Sequence, residues 1–216
     1  MSNVLVIVGM GEGNGMAIAR RFGKEGFEIA MMARNLSKLQ GYQQTLASEG
    51  ITSHSFLVDA GDPTSMEAAF STLKAQLGDP EVLVYNTAVP RMESVLQTEF
   101  DTLVDDFRAN VAGALVAAQA VLPAMQACNS GTLLFTGGGF ALYPLPDFVS
   151  LSIGKAGIRV LTNTLHIALK DSPIKVGTIT ICGTVNGEDP KYSSELIAEE
   201  YWKFHRSSDP DYEVVY

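Results

Sequence analysis

The sequence predicts a doubly wound α/β fold: a parallel sheet of about seven strands with helices on both faces. Three observations lead there. Strand and helix patterns alternate from one end of the chain to the other. The first strands are continuous apolar runs, as expected of parallel strands covered on both faces. The first of them runs into a glycine-rich turn and then a helix, the arrangement with which such sheets receive anionic groups. No repeat, linker or low-complexity segment interrupts the 216 residues, so one domain over 1–216 is expected.

Each element has its own signal. "NVLVIVG" is a strand, and "GMAIARRFGKEG" a helix ended by Gly26. "FEIAMMA" is the second strand, and "NLSKLQGYQQTLASEG" a helix stopped at Gly50. "TSHSFLVDA" is the third strand. In "DPTSMEAAFSTLKAQLG", Asp62 is placed to cap a helix with Pro63 in its first turn. "EVLVYNTA" is the fourth strand, followed by one long helix over roughly Glu99 to Ala127. "GTLLFTGGG" is the fifth strand, "FVSLSIGKAGIRVLTNTLHIAL" a long helix and "IKVGTITIC" the sixth strand. "SSELIAEEYWKFH" is the last helix, and "DYEVVY" a short seventh strand at the edge. Right-handed crossovers then put a ligand crevice at the carboxyl ends of the strands.

Composition excludes several classes. With a formal charge of −9 the chain gains nothing from counterion release, so nucleic acid is not expected as a partner. No cluster of basic residues suits anionic lipid, and the apolar stretch "VAGALVAAQAVLPAMQA" reads as a buried helix too short to span a bilayer. The start has no basic leader and reads as a buried strand. Two distant cysteines, Cys128 and Cys182, point to a reducing, cytoplasmic setting, with Cys182 a small packed residue. His54, His166 and His205 have no spacing that suggests a metal site, and no metal is expected. Arg91 reads as a surface arginine.

In "VGMGEGNGMAIA", Gly9, Gly13 and Gly15 have the spacing G-x-x-x-G-x-G, with Gly11 as an extra. Such a turn lets backbone amides approach a pyrophosphate while the following helix points its positive end at it. The bland reading is a flexible loop with no ligand; the flanking strand and helix argue against it.

The spacing resembles that of the short-chain dehydrogenase/reductase family, and further marks of that family follow in order along essentially the whole chain. Asp59 in "FLVDA" resembles its adenine-binding acid. Asn86 in "VYNTAV" matches the second asparagine of N-N-A-G. Asn110 in "RANVAGAL" resembles the asparagine that holds a water relay. Lys155 matches the lysine of Y-x-x-x-K, and "ICGTV" resembles the P-G-x-V turn, with Val185 its valine. The resemblance implies a Rossmann fold. It implies a cofactor site at Gly9, Gly13, Asn14, Gly15, Met16, Arg34, Asp59, Asn86, Lys155 and Val185, and a small-molecule substrate. It also implies a homodimer or homotetramer paired through the helices bearing Asn110 and Lys155.

The departures are as informative. Val8 stands for the threonine of the turn, Tyr85 and Ala88 depart from N-N-A-G, and Cys182 replaces a proline. Leu151 occupies the position of the family's tyrosine, the proton donor, and Gly138 that of its serine. The family's catalytic set is thereby reduced to Asn110 and Lys155.

Ala33 and Arg34 end the second strand, where an acidic residue would favour NAD. A guanidinium can grip a 2′-phosphate, which favours NADP over NAD. Glu12 argues the other way, either directly or by pairing with Arg34. Three groups are candidates to replace the lost acid, a function typically worth ~10²–10⁴ in rate. Tyr143 lies on the loop before the Lys155 helix; its bland reading is a wedge beside Pro144 and Pro146. Ser152 projects about 100° away from the lost tyrosine and is discounted. Lys155 itself is the third, acting through water near Asn110. The expected function is an atypical NADP(H)-dependent oxidoreductase of a small carbonyl or alcohol. A silent NADP(H)-binding protein, serving as redox sensor or assembly subunit, is the alternative. A reductase of activated double bonds is a third reading. The short "GTVNGEDPKYSS" loop implies a small lid and an open pocket.

Overall fold

The computed structural model describes residues 2–208 and 211–216. Seven parallel strands form one sheet in the order β3-β2-β1-β4-β5-β6-β7. They are β1 (Ser2–Val8), β2 (Glu28–Ala33), β3 (Ser53–Leu57), β4 (Pro80–Tyr85), β5 (Thr132–Thr136), β6 (Lys175–Thr180) and β7 (Glu213–Val215). The helices are α1 (Asn14–Gly23), α2 (Leu36–Ser48), α3 (Pro63–Leu77), α4 (Phe100–Phe107), α5 (Gly113–Cys128), α6 (Val149–Ala168) and α7 (Ser194–Arg206).

Side chains alternate across a strand, so each central strand feeds two cores. Val4, Val6 and Val8 of β1 pack with Phe70 of α3, Val121 of α5 and Ile158 of α6. Leu5 and Ile7 pack on the other face with Ile18 and Phe22 of α1, Leu39 of α2 and Phe204 of α7. This two-sided burial is why the strand sequences read as unbroken apolar runs. Helix starts follow the side chains available. Asn35 accepts from the Lys38 amide at 3.0 Å, and Asp62 from the Thr64 amide at 2.9 Å with Pro63 in the first turn.

The long fourth helix departs from expectation. Phe100–Cys128 is one continuous helical run of 29 residues, but Arg108–Ala112 forms a π turn inside it. Packing accounts for the break. A Cβ at Gly113 would lie 2.1 Å from the Ala60 carbonyl oxygen, so the helix crosses β3's end and β4 at contact distance there. The Tyr85 hydroxyl donates to the carbonyl of Ala109 within the widened turn, filling a gap in the ladder. The run is also long and apolar enough to cross a membrane by length and composition, which corrects the shorter stretch expected from sequence. In the fold its Ala114, Ala117, Ala118, Val121 and Met125 are buried against the sheet.

Candidate functional site

β1 hydrogen-bonds to β2 on one side and β4 on the other, so successive crossovers leave in opposite directions from β1. A cleft opens at the carboxyl ends of the strands at this reversal, as the topology requires. It has two parts. An outer cavity of about 320 Å³ lies over β2 and β3, and an inner one of about 860 Å³ over β4, β5 and β6. Asn86 and Ala88 line both, making them one groove.

The glycine turn forms the floor between them. Gly9 has φ 89°, and a Cβ there would sit 2.5 Å from the Thr87 amide nitrogen, so only glycine fits. α1 starts without a side-chain cap; the Met16 amide donates to the Gly11 carbonyl at 3.0 Å, which leaves the amides of Asn14 and Gly15 to meet an anion. Asn14 lines the inner cavity, and its buried Oδ1 has no partner among the described residues. Such an orphaned acceptor fits a ligand that carries donors as well as negative charge.

A chain of side chains joins the strand ends. The Asn86 amide donates to the Gly9 carbonyl at 3.0 Å and accepts from the Thr136 hydroxyl at 2.8 Å. Thr136 is also 2.7 Å from the hydroxyl of buried Tyr201 on α7. Burial drives the Tyr201 phenol well above its ordinary pKa, so it stays a neutral partner. Sequence reading found Asn86 but missed Thr136 and Tyr201. A polar residue closing an apolar strand was the available signal for Thr136; nothing local marked Tyr201.

Lys155 reaches this junction from α6. Its Nζ donates to the Thr136 carbonyl at 2.7 Å, and its stem crosses Gly138, where a Cβ would lie 3.3 Å away. No ion pair among the described residues includes it. Burial without a counter-charge lowers its pKa to about 8. Leu151, one turn earlier on α6, is buried and lines the same cavity. Tyr143 lines it too, but is 73% exposed on the loop after β5. Ser152 is buried and accepts from the Leu145 amide at 3.3 Å, away from the reaction space.

Not every expected residue faces the groove. Gly13, Gly15 and Val185 line the inner part; Gly9, Arg34 and Asp59 line the outer part. Met16 is packed into the core behind the turn. Asn110 sits on the π turn behind the wall. Its Oδ1 accepts from the Val89 amide at 2.8 Å, and it presses on Gly154 next to Lys155. Cys182 corrects its sequence reading: it is exposed and lines the inner cavity instead of packing. Arg91 is anchored, with two bonds of 2.8 and 3.0 Å to buried Asp106, whose carboxyl it holds below its ordinary pKa.

In the outer cavity Arg34 has company that sequence reading missed. Lys38 and Tyr42, on the first turns of α2, line the same space. Their mutual spacing was the signal, since Lys38 and Tyr42, four apart, share one face of α2. Glu12 is exposed, and no ion pair among the described residues joins it to Arg34. Asp59 turns one carboxylate oxygen to the Gly61 amide at 2.9 Å.

Comparison with known proteins agrees with this geometry. Human "Short-chain dehydrogenase/reductase 3" is 27% identical over 172 residues, covering 79% of this chain and 57% of that protein. The chain therefore spans little more than half the length of that relative. Among solved structures, a metagenomic short-chain oxidoreductase in complex with NADP superposes with a TM-score of 0.87 at 20% identity, covering 99% of this chain and 96% of the other. A short-chain dehydrogenase from Sphingobium yanoikuyae in complex with NADPH gives 0.82 at 19%, covering 93% and 82%. The sequence profile of the short chain dehydrogenases matches residues 3–192, and the chain belongs to that family.

Proposed function

We propose that this protein is an atypical NADP(H)-dependent oxidoreductase of a small carbonyl or alcohol, in which Lys155 takes the place of the usual proton donor. The observation that carries the reading is the continuity of the groove. A basic outer part, an uncapped helix start and a half-buried lysine lie in line along the strand ends. Arg34 and Lys38 are placed to hold a 2′-phosphate, and Asp59 to accept from an adenine amino group. The two neighbours with bound NADP or NADPH are of the same fold, which supports that cofactor.

The cofactor, when bound, supplies or takes the hydride. The chain must then handle one proton at the carbonyl oxygen. Lys155 spends one N–H on the Thr136 carbonyl and keeps two for the groove. With its pKa lowered to about 8 it gives a proton at neutral pH more readily than a surface lysine does. Leu151 and Gly138 carry no polar side chain, so neither can polarise the carbonyl, and Lys155 is the charged side chain that the described lining of this cavity provides for that role. Tyr143 is the second candidate donor, supported by its place on the same cavity. Tyr143→Phe separates the two: unchanged turnover assigns the proton to Lys155, and loss of turnover assigns it to Tyr143.

The alternative, a silent NADP(H)-binding protein, is favoured by that same loss of tyrosine and serine. Titration calorimetry with NADPH and NADH, followed by a carbonyl screen that follows NADPH absorbance, tests both. Binding of NADPH with no turnover on any carbonyl selects the silent protein. Tighter binding of NADH removes the NADP assignment. A homodimer or homotetramer is part of the proposal. Phe100, Phe107 and Leu115 on one side and Ile153, Val160 and Ile167 of α6 on the other leave two exposed apolar rows. Sedimentation at micromolar concentration showing only monomer would refute it.

A further inference from the structure

We propose that the inner cavity takes an uncharged carbonyl compound with a hydrocarbon tail, its carbonyl at Lys155 and its tail running out over Leu145 to the loop at Met92–Leu96. The choice of a carbonyl rests on the oxidoreductase reading above. The lining of the cavity is divided by chemistry. Its polar side chains Asn14, Asn86, Thr136, Thr184 and Asn186 belong to the glycine turn, the ends of β4 and β5 and the segment after β6. Pro90, Phe140, Leu145 and Leu151, from the loops after β4 and β5 and the first turn of α6, carry only carbon. Phe140 is backed by Phe148, with ring centroids 5.3 Å apart and planes 16° from parallel, which keeps its ring in place. Lys155 is the one charged side chain among the described lining residues, and the reacting carbonyl occupies it.

The apolar wall continues past the mouth. The Val95 amide donates to the Pro146 carbonyl and the Glu93 amide to the Asp147 carbonyl, both at 2.9 Å. The loop after β4 therefore runs alongside the loop that carries Leu145. This pairing brings Met92, Val95 and Leu96, which are 74%, 50% and 91% exposed, to the same rim as half-exposed Leu145. An apolar strip that leads from a cavity to the surface gains by being covered with hydrocarbon. The ionisable side chains at the pairing itself are the carboxylates Glu93 and Asp147, and the nearby Arg91 guanidinium is already bound to Asp106. An anionic tail end would be repelled there, and a neutral one would not.

The test compares butanal, octanal and 8-oxooctanoate as substrates with NADPH. Each methylene that leaves water is worth about a fourfold gain in binding. With partial burial, kcat/KM should rise about 20- to 200-fold from butanal to octanal, and should fall by at least about tenfold when octanal carries a terminal carboxylate. Leu145→Asp should cost octanal at least about tenfold more than it costs butanal, mostly through KM. Leu96→Asp should show the same selective loss at about threefold. Calorimetric affinity for octan-1-ol and butan-1-ol, with and without NADP, gives the comparison without turnover. If octan-1-ol binds selectively and Leu145→Asp removes that preference, yet no aldehyde is reduced, the oxidoreductase reading fails and the tail site stands. Equal kcat/KM for butanal and octanal, or preference for 8-oxooctanoate, overturns the proposal and leaves the oxidoreductase reading in place. If Leu96→Asp breaks an oligomer in sedimentation without altering octanal kinetics, the rim belongs to a second copy of the chain and the proposed path of the tail is overturned.

Discussion

The two ends of the groove differ in what they ask of the chain. The outer end and the turn offer a ligand both backbone and charge: Gly9 at positive φ, the uncapped start of α1, and Arg34 and Lys38 beside the end of β2. The inner end depends on particular side chains, and there Leu151 and Gly138 stand where resemblance led us to expect tyrosine and serine. Amides at the start of α1 come from any residue but proline, although the turn before them needs glycine at Gly9. Chemistry built from side chains tolerates less. This contrast allows a groove with its binding half intact and its reactive half rebuilt around one lysine.

The largest effect should come from removing that lysine. Lys155→Met is expected to lower turnover by ~10²–10⁴ while NADPH affinity changes by less than about tenfold. Equal loss of both in steady-state and calorimetric assays would erase the distinction between the ends. The outer end is probed by Arg34→Ala combined with Lys38→Ala. NADPH binding should weaken by about 10- to 100-fold while NADH binding stays within about twofold. Loss of both nucleotides alike would mean that the pair does not meet the 2′-phosphate. Leu151→Tyr should raise carbonyl reduction by roughly tenfold or more, since it places an acid beside Lys155. No gain in that assay would mean that the inner end differs from its relatives in more than the missing hydroxyl.

The smallest effect is on stability. Lys155 falls from 10.5 to about 8 on burial, so between those values the unfolded chain binds more protons than the folded one. Stability from this group therefore rises with pH across that window, and at pH 7 the cost of the buried charge is present in full. At about 1.4 kcal/mol per unit, discounted for partial solvation and the lost bond to Thr136, Lys155→Met should stabilise the fold by about 1–2 kcal/mol at pH 7. Chemical denaturation at pH 7 and pH 10 checks both the gain and its shrinkage at the higher pH.

Much of this was legible in the sequence. The alternation of apolar strands and capped helices gave the sheet, and Asp62 and Pro63 mark the start of α3 as expected. The glycine spacing located the groove's floor. What escaped depends on contacts distant in sequence. The π turn arises because Gly113 meets Ala60 and Tyr85 reaches Ala109. Thr136 became a junction only when Tyr201 and Lys155 arrived from α7 and α6. Lys38 and Tyr42 were readable as one face of α2, and the orientation of Asn186 was not, because Ser194 fixes it through the start of α7. Cys182 read as packed because its neighbours are apolar, yet β6 ends just before it and leaves it at the groove.

The central claim is that Lys155 carries the proton, and the pH dependence of NADPH-driven carbonyl reduction at saturating cofactor tests it most directly. The ammonium form is the donor, so the account predicts constant turnover below about pH 8 and a fall of about tenfold per unit above it. A profile that stays flat from about pH 6 to 10, with NADPH still bound throughout, would contradict it.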